Sequence, residues 1–168
     1  MPWLSKVKAV IVQFLPGESS GTALAATLFG DADPAGRLPL SFPLTEDQTW
    51  ITSESQYPGV PGPWAGGAKG NTATYSEELL IGYRWYDAKK QAPLFEFGAG
   101  QSFSTYEWSD LKAGSSAVSC TVKNTGKRAG VVVSQMYLEF PSSAGEPPRQ
   151  LQSAAAEAQP ARRIQLRA

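Results

Sequence analysis

The rhythm of apolar and polar positions changes three times along the chain. Residues 7–15 (VKAVIVQFL) are nearly all β-branched, aliphatic or aromatic, interrupted only by Lys8 and Gln13. Such a run fits a strand covered on both faces, as in a parallel sheet. Pro16-Gly17 breaks it, Ser19 or Ser20 can cap a helix, Ala23, Leu24, Thr27 and Leu28 recur at helical spacing, and Gly30 supplies a C-terminal stop. Strand, turn and helix make half of a βαβ unit. Half a unit cannot cover both faces of a sheet, so the chain is expected to begin in the middle of a larger one. Residues 31–36 (DADPAG) predict a turn, and 37–42 (RLPLSF) a short extended segment that Pro39 keeps at a sheet edge or outside a sheet.

A second rhythm follows. Residues 45–74 contain Pro58, Pro61, Pro63 and five glycines, together with Trp50, Tyr57 and Trp64. Gly and Pro suit a flexible linker; three large aromatics argue instead for an ordered loop, a kind of long connection that is often functional. Residues 79–85 read as a strand or as a short helix, and the period leaves both open.

From about Ser104 the pattern alternates by two. Val118, Cys120 and Val122 share one face, Ser119, Thr121 and Lys123 the other, Asn124-Thr125-Gly126 makes a turn, and Val132, Ser134, Met136, Leu138 and Phe140 share a face of the next strand. About three strands are visible, against the ~7 of an immunoglobulin-like sandwich. Residues 153–168 show no strand pattern and read as a weak helix or as disorder. The expected class is α/β followed by β.

Composition excludes several kinds of chemistry. Fifteen basic and fifteen acidic residues cancel, so the basic footprint of nucleic-acid binding is missing. Histidine is absent, which removes His-based triads, His-ligated metals and His general bases. Cys120 is the single cysteine; no internal disulfide can form, and with apolar neighbours at 118 and 122 it reads as an inert core residue. The opening residues carry no basic stretch followed by a long apolar run, and 7–15 is far shorter than the ~20 residues of a membrane span.

Five stretches in order resemble one family. Residues 8–12 (KAVIV) followed by 16–21 (PGESSG) resemble a strand and "PGEESG" pattern. Residues 28–39 (LFGDADPAGRLP) are similar to "LFGDVNPSGRLP". Residues 75–78 (YSEE) with 82–87 (GYRWYD) resemble "YSEG…VGYRWYD", 93–100 (PLFEFGAG) resemble "PLFPFGHG", and 122–126 (VKNTG) with 129–130 (AG) resemble the opening of a fibronectin type III-like domain. The chain thus resembles the C-terminal part of a family 3 glycoside hydrolase of the β-glucosidase kind. The resemblance covers roughly residues 1–152. It departs from the pattern at Ala99 and Gln101, and again after Gln152, where a "KGFEKV"-like strand would follow.

The resemblance implies the end of an α/β sandwich domain at 1–44, an interdomain connection at 45–103, the start of the fibronectin-like domain at 104–152 and a divergent tail at 153–168. It implies a parent enzyme that hydrolyses terminal β-D-glucosyl residues of glucosides or oligosaccharides by a retaining mechanism, that needs no metal or organic cofactor, and that is often secreted or vacuolar. Retention needs two carboxyls ~5–5.5 Å apart. The family's nucleophile is an Asp of a preceding barrel domain and its acid/base a Glu upstream of the PGEESG stretch, so no catalytic residue is carried over. This chain is expected to be scaffold, inactive alone, with the barrel domain as its missing partner. The alternative is a stand-alone β-sandwich module that binds carbohydrate or protein.

Four residues are expected at a cleft rim. Glu18 follows a strand at the edge where α/β sheets place ligands, or simply complements the helix dipole. Arg84, Trp85 and Asp87 form the most sugar-like cluster, with a ring to stack and groups to bond hydroxyls; the favoured reading of the same residues is an interdomain anchor with Trp85 in a core and Arg84 paired to an acid, since buried aromatics mostly supply packing area. Glu77 and Glu78 are adjacent and diverge in either a strand or a helix. Turn chemistry accounts for Asp31 and Asp33.

Overall fold

The computed structural model describes residues 1–63, 69–114, 117–138, 150–158 and 162–167. After a 3-10 turn at Leu4–Lys6 come helix α1 (Ser20–Phe29), strands β1 (Val60–Pro63) and β2 (Lys69–Thr72), helix α2 (Tyr83–Lys89), and strands β3 (Tyr106–Ala113), β4 (Ala117–Asn124), β5 (Gly130–Leu138), β6 (Gln150–Ala158) and β7 (Arg162–Arg167). The strands form three antiparallel sheets: β1-β2, β3-β4-β7 and β5-β6. The described residues divide into two units, the first made of residues 1–37, 100–114, 117–138, 150–158 and 162–167, the second of residues 38–63 and 69–99.

In the first unit α1 lies where the helical spacing put it. Ser19 precedes it without a side-chain cap bond, and Gly30 ends it at φ +80°. Glycine reaches that left-handed conformation without strain. The site is also crowded: a Cβ on Gly30 would lie 2.6 Å from the Arg128 guanidinium, which donates to the Gly30 carbonyl.

The reading of residues 7–15 as a strand buried on both faces is corrected. They join no ladder, and Leu15 is 97% and Phe14 56% exposed. The reason is the lack of partners, since no described strand runs beside them and a strand conformation is held by its neighbours' hydrogen bonds.

The β part follows the alternation more closely. β4 is the middle strand of its sheet, between β3 and β7, while β5 pairs with β6 over nine positions. The Asn124 side chain turns the corner: its Oδ1 accepts from the Gly126 amide (2.9 Å) and its Nδ2 donates to the Arg128 carbonyl (2.6 Å). The turn carries the chain from one sheet to the other rather than closing a hairpin, and Val122 of β4 then meets Val132 of β5 in a core joined by Tyr106 and Cys120. Two sheets packed through such residues are the germ of a sandwich. The alternation is not clean, because Ser119 on the opposite face of β4 is also buried.

The reading of 153–168 as weak helix or disorder is corrected too. Residues 150–158 and 162–167 are strands, so five strands rather than three make up the two facing sheets. An alanine-rich stretch carries little alternation, and its extended state comes from the β5 ladder. In β7 the signal was present but short: Ile164 stands opposite Cys120 and Leu166 opposite Val118. Phe140, expected to continue the β5 face, lies outside the described residues.

In the second unit, residues 38–42 run antiparallel to 94–98 through bonds from the Gly98 amide to Leu38 (2.8 Å) and between Phe42 and Phe95 (2.8 Å), and Phe42 and Phe95 stack edge to face. The Pro39 segment therefore forms only an isolated bridge. The ambiguous stretch 79–85 resolves into a helix from Tyr83 onward.

Candidate functional site

The sugar-like cluster sits on α2. Gly82, at φ +56°, precedes the helix, and its carbonyl accepts from the Trp85 amide (3.1 Å). One short helix then distributes three aromatics. Trp85 is buried at 8% exposure and meets the equally buried Tyr86 edge to face, centroids 5.1 Å apart. Tyr83 lies 5.3 Å from the Phe97 ring. Trp85 is thus packed against Tyr86 within α2.

Arg84 is placed differently. Its guanidinium lies 5.7 Å from the centre of the Tyr83 ring, within cation–π range. Its Nε is buried and has no hydrogen-bond partner among the described residues. A guanidinium only donates, so the group that would complete Arg84 is an acceptor such as a carboxylate or a hydroxyl. Asp87 is half-buried three residues along the same helix. Glu18 is exposed in the turn before α1 and belongs to the first unit, whereas α2 belongs to the second.

Two polar centres escaped the sequence pattern. In the second unit Gln56 is buried. Its Oε1 accepts from the Thr52 amide (2.7 Å) and hydroxyl (2.9 Å), and its Nε2 donates to the Trp50 carbonyl (3.1 Å) and the Glu77 carboxylate (2.8 Å). The long connection is therefore an ordered loop in its described part, knotted around one amide; Trp64 lies outside the described residues. Nearby, Tyr86 Oη donates to the Gln48 carbonyl (3.4 Å), and burial raises its pKa above the usual 10.0. In the first unit Asp33 does more than make a turn. Its carboxylate accepts from Ser102 Oγ (2.8 and 2.9 Å) and from the Phe103 amide (2.7 Å), and Ser102 Oγ lies 3.2 Å from Tyr106 Oη. Nothing local in DADPAG signals a bond to residues about seventy positions away.

Among the described residues no group of His, Cys, Asp and Glu could hold a metal ion, and no helix is long and apolar enough to cross a membrane. Nor do Glu77 and Glu78 form a pair: Glu77 is engaged by Gln56, and Glu78 occupies the left-handed region at φ +52°. Residues 1–103 match the glycosyl hydrolase family 3 C-terminal domain. The chain belongs to glycosyl hydrolase family 3. A beta-glucosidase of Rhizobium radiobacter is 38% identical over 157 residues, which make up 88% of this chain and 18% of that protein. Among solved structures, DesR, a beta-glucosidase from Streptomyces venezuelae in complex with D-glucose, is 35% identical, with a TM-score of 0.83 over 99% of this chain and 22% of its own. Beta-glucosidase 3B from Thermotoga neapolitana in complex with glucose matches at 28% identity with a TM-score of 0.82, over 99% of this chain and 23% of its own. The chain thus spans about a fifth of the length of its family 3 relatives, and corresponds to their C-terminal domain region.

Proposed function

We propose that this chain serves as the C-terminal scaffold of a family 3 β-glucosidase, an enzyme that releases terminal β-D-glucosyl residues from glucosides or oligosaccharides, and that it does not itself carry the two catalytic carboxyls. The observation behind this reading is the coverage: 99% of the chain superimposes on 22% of a glucose-bound β-glucosidase. The family resemblance puts both carboxylates upstream of residues 16–21, in sequence this chain does not contain. Residues 1–44 then correspond to the end of an α/β sandwich domain, and residues from 104 onward to a fibronectin type III-like domain. The two facing sheets of β3–β7 support the second assignment.

Within that enzyme Arg84, Trp85 and Asp87, with Glu18, are the proposed rim and anchor residues. Arg84 is the strongest of the four, since its buried Nε calls for an acceptor. Trp85 acts as a packing post that fixes the helix. The test is hydrolysis of a chromogenic β-glucoside by the purified chain, beside a longer protein in which the upstream family 3 sequence is fused in front of it. The expected result is turnover by the fusion alone. Turnover by the chain alone, abolished by substituting Glu18 or Asp87, would overturn the scaffold reading.

A further inference from the structure

Helix α1 brings little stability of its own. It has ten residues, fewer than the ~12–15 at which an isolated helix is even marginal in water. Ser19 makes no side-chain cap bond, no carboxylate stands in the first turn, no basic residue stands in the last, and none of its residues is buried. The groups that meet its C-terminal end come from elsewhere in the first unit. Arg128, between β4 and β5, donates to the Gly30 carbonyl and so brings a cation to the negative end of the helix. Three residues past Gly30, Asp33 accepts from the Phe103 amide (2.7 Å) and from Ser102 Oγ (2.8 Å). Both contacts converge on Phe103, because the Arg128 guanidinium lies 5.7 Å from the centre of that ring. Arg128 is fixed in turn: its carbonyl accepts from Ser104 Oγ and from Asn124 Nδ2, each at 2.6 Å. The fit leaves no room for a side chain at Gly130, where a Cβ would lie 2.6 Å from an Asp33 carboxylate oxygen and against the Tyr106 hydroxyl.

From this we infer that Arg128, Phe103 and Asp33 form one latch, through which the β part of the unit holds α1 in its helical state. The cation that the last turn of α1 lacks is supplied from about a hundred positions away. The latch can open without the sheets opening. The core of Val122 and Val132 is joined by Tyr106 and Cys120 and contains no residue of α1, so losing the helix removes nothing from it. Opening would release α1 together with the turn that carries Glu18, as a local event of lower free energy than global unfolding. The latch also gives physical content to two stretches that stood out in the sequence: Asp33 in residues 28–39 and Gly130 in the Ala-Gly pair are facing parts of one joint. None of this depends on the proposed scaffold role.

The test is amide hydrogen exchange on the full chain, comparing amides 24–32 of α1 and its C-terminal turn with amides 118–124 of β4. Arg128→Met should quicken exchange in the first group by about fivefold or more and leave the second unchanged. Lys127→Met removes a neighbouring exposed cation and should alter neither group. Asp33→Ala should also quicken amides 24–32. The gain in the double variant should fall short of the product of the two single gains, because either change loosens the Phe103 seat that both contacts share. Three results would overturn the proposal. Exchange in α1 no faster in Arg128→Met than in Lys127→Met would show that Arg128 does not hold the helix. An equal quickening of α1 and β4 would show that helix and sheets open as one. Gains that multiply in full would show two separate contacts in place of one latch. Should Arg128→Met not fold, Arg128→Lys keeps the charge without the planar fork and is read by the same criteria.

Discussion

Residues 7–15 read VKAVIVQFL and strand β5 reads GVVVSQMYL. The two stretches have the same length and nearly the same chemistry, yet β5 pairs with β6 along its whole length and buries Val132 and Ser134, whereas 7–15 joins no ladder and leaves Leu15 almost bare. A β-branched run states a demand for cover and for backbone partners. Whether the demand is met depends on what else the chain brings to that place. β5 finds β6 along one edge and, through Val132, the Val122 side of the opposite sheet; residues 7–15 find neither.

The sharpest way to break this comparison is to place one carboxylate in each stretch. Val132→Asp puts an unpaired charge between the two sheets and should destabilise the chain by about 4 kcal/mol or abolish its folding. Ile11→Asp should change stability by no more than about 0.5 kcal/mol, because that side chain already stands in water. Urea unfolding of the two variants beside the parent measures both. A similar loss in the two would mean that residues 7–15 are packed in solution.

The contrast between met and unmet demands also separates polar groups. The Gln56 side chain makes five hydrogen bonds at once, while Arg84 Nε has none among the described residues. Gln56→Ala would strand the Thr52 amide, the Trp50 carbonyl and Glu77 in a half-buried loop, at a cost of about 2 kcal/mol. The same unfolding experiment detects it, with faster exchange at the Thr52 amide as the local signature. A smaller loss, about 1 kcal/mol, is expected for Asp33→Asn. The amide can still accept from the Phe103 amide, but it gives up the charge behind the Ser102 bonds. Hydrogen exchange at Phe103 should quicken in that variant.

These cases show which parts of the molecule could be read from the sequence. Helix α1 was legible because its spacing and its Gly30 stop are local. Strands β4 and β5 were legible from alternation. The fate of 7–15 and the strand state of 150–158 were not, since both are decided by partners far along the chain: one run lacks them, and an alanine-rich one has them. The candidate site divides in the same way. GYRWYD falls on helix α2, where Trp85 and Tyr86 are buried. The Gln56 knot and the Asp33 bonds join residues twenty to seventy positions apart, and no short pattern records such a distance.

Tyr86 gives the finest test of what burial does in the second unit. Its ring is buried against Trp85 and its hydroxyl reaches the Gln48 carbonyl at 3.4 Å, longer than a strong bond. Tyr86→Phe should therefore cost less than about 1 kcal/mol near neutral pH. The pH dependence carries more information than the magnitude. Burial disfavours the phenolate, so the folded pKa lies above the ordinary 10.0 of the unfolded chain. The phenol is protonated in both states below that value, and its contribution to stability is fully present there. As the pH climbs past it the unfolded chain releases the proton first, and stability falls until the folded pKa is reached. Replacing Tyr86 by Phe removes that proton and should flatten the alkaline decline in unfolding free energy. An equally steep decline in the variant would assign the effect to the exposed tyrosines and lysines, and would show that α2 admits water more freely than the packing of Trp85 and Tyr86 implies.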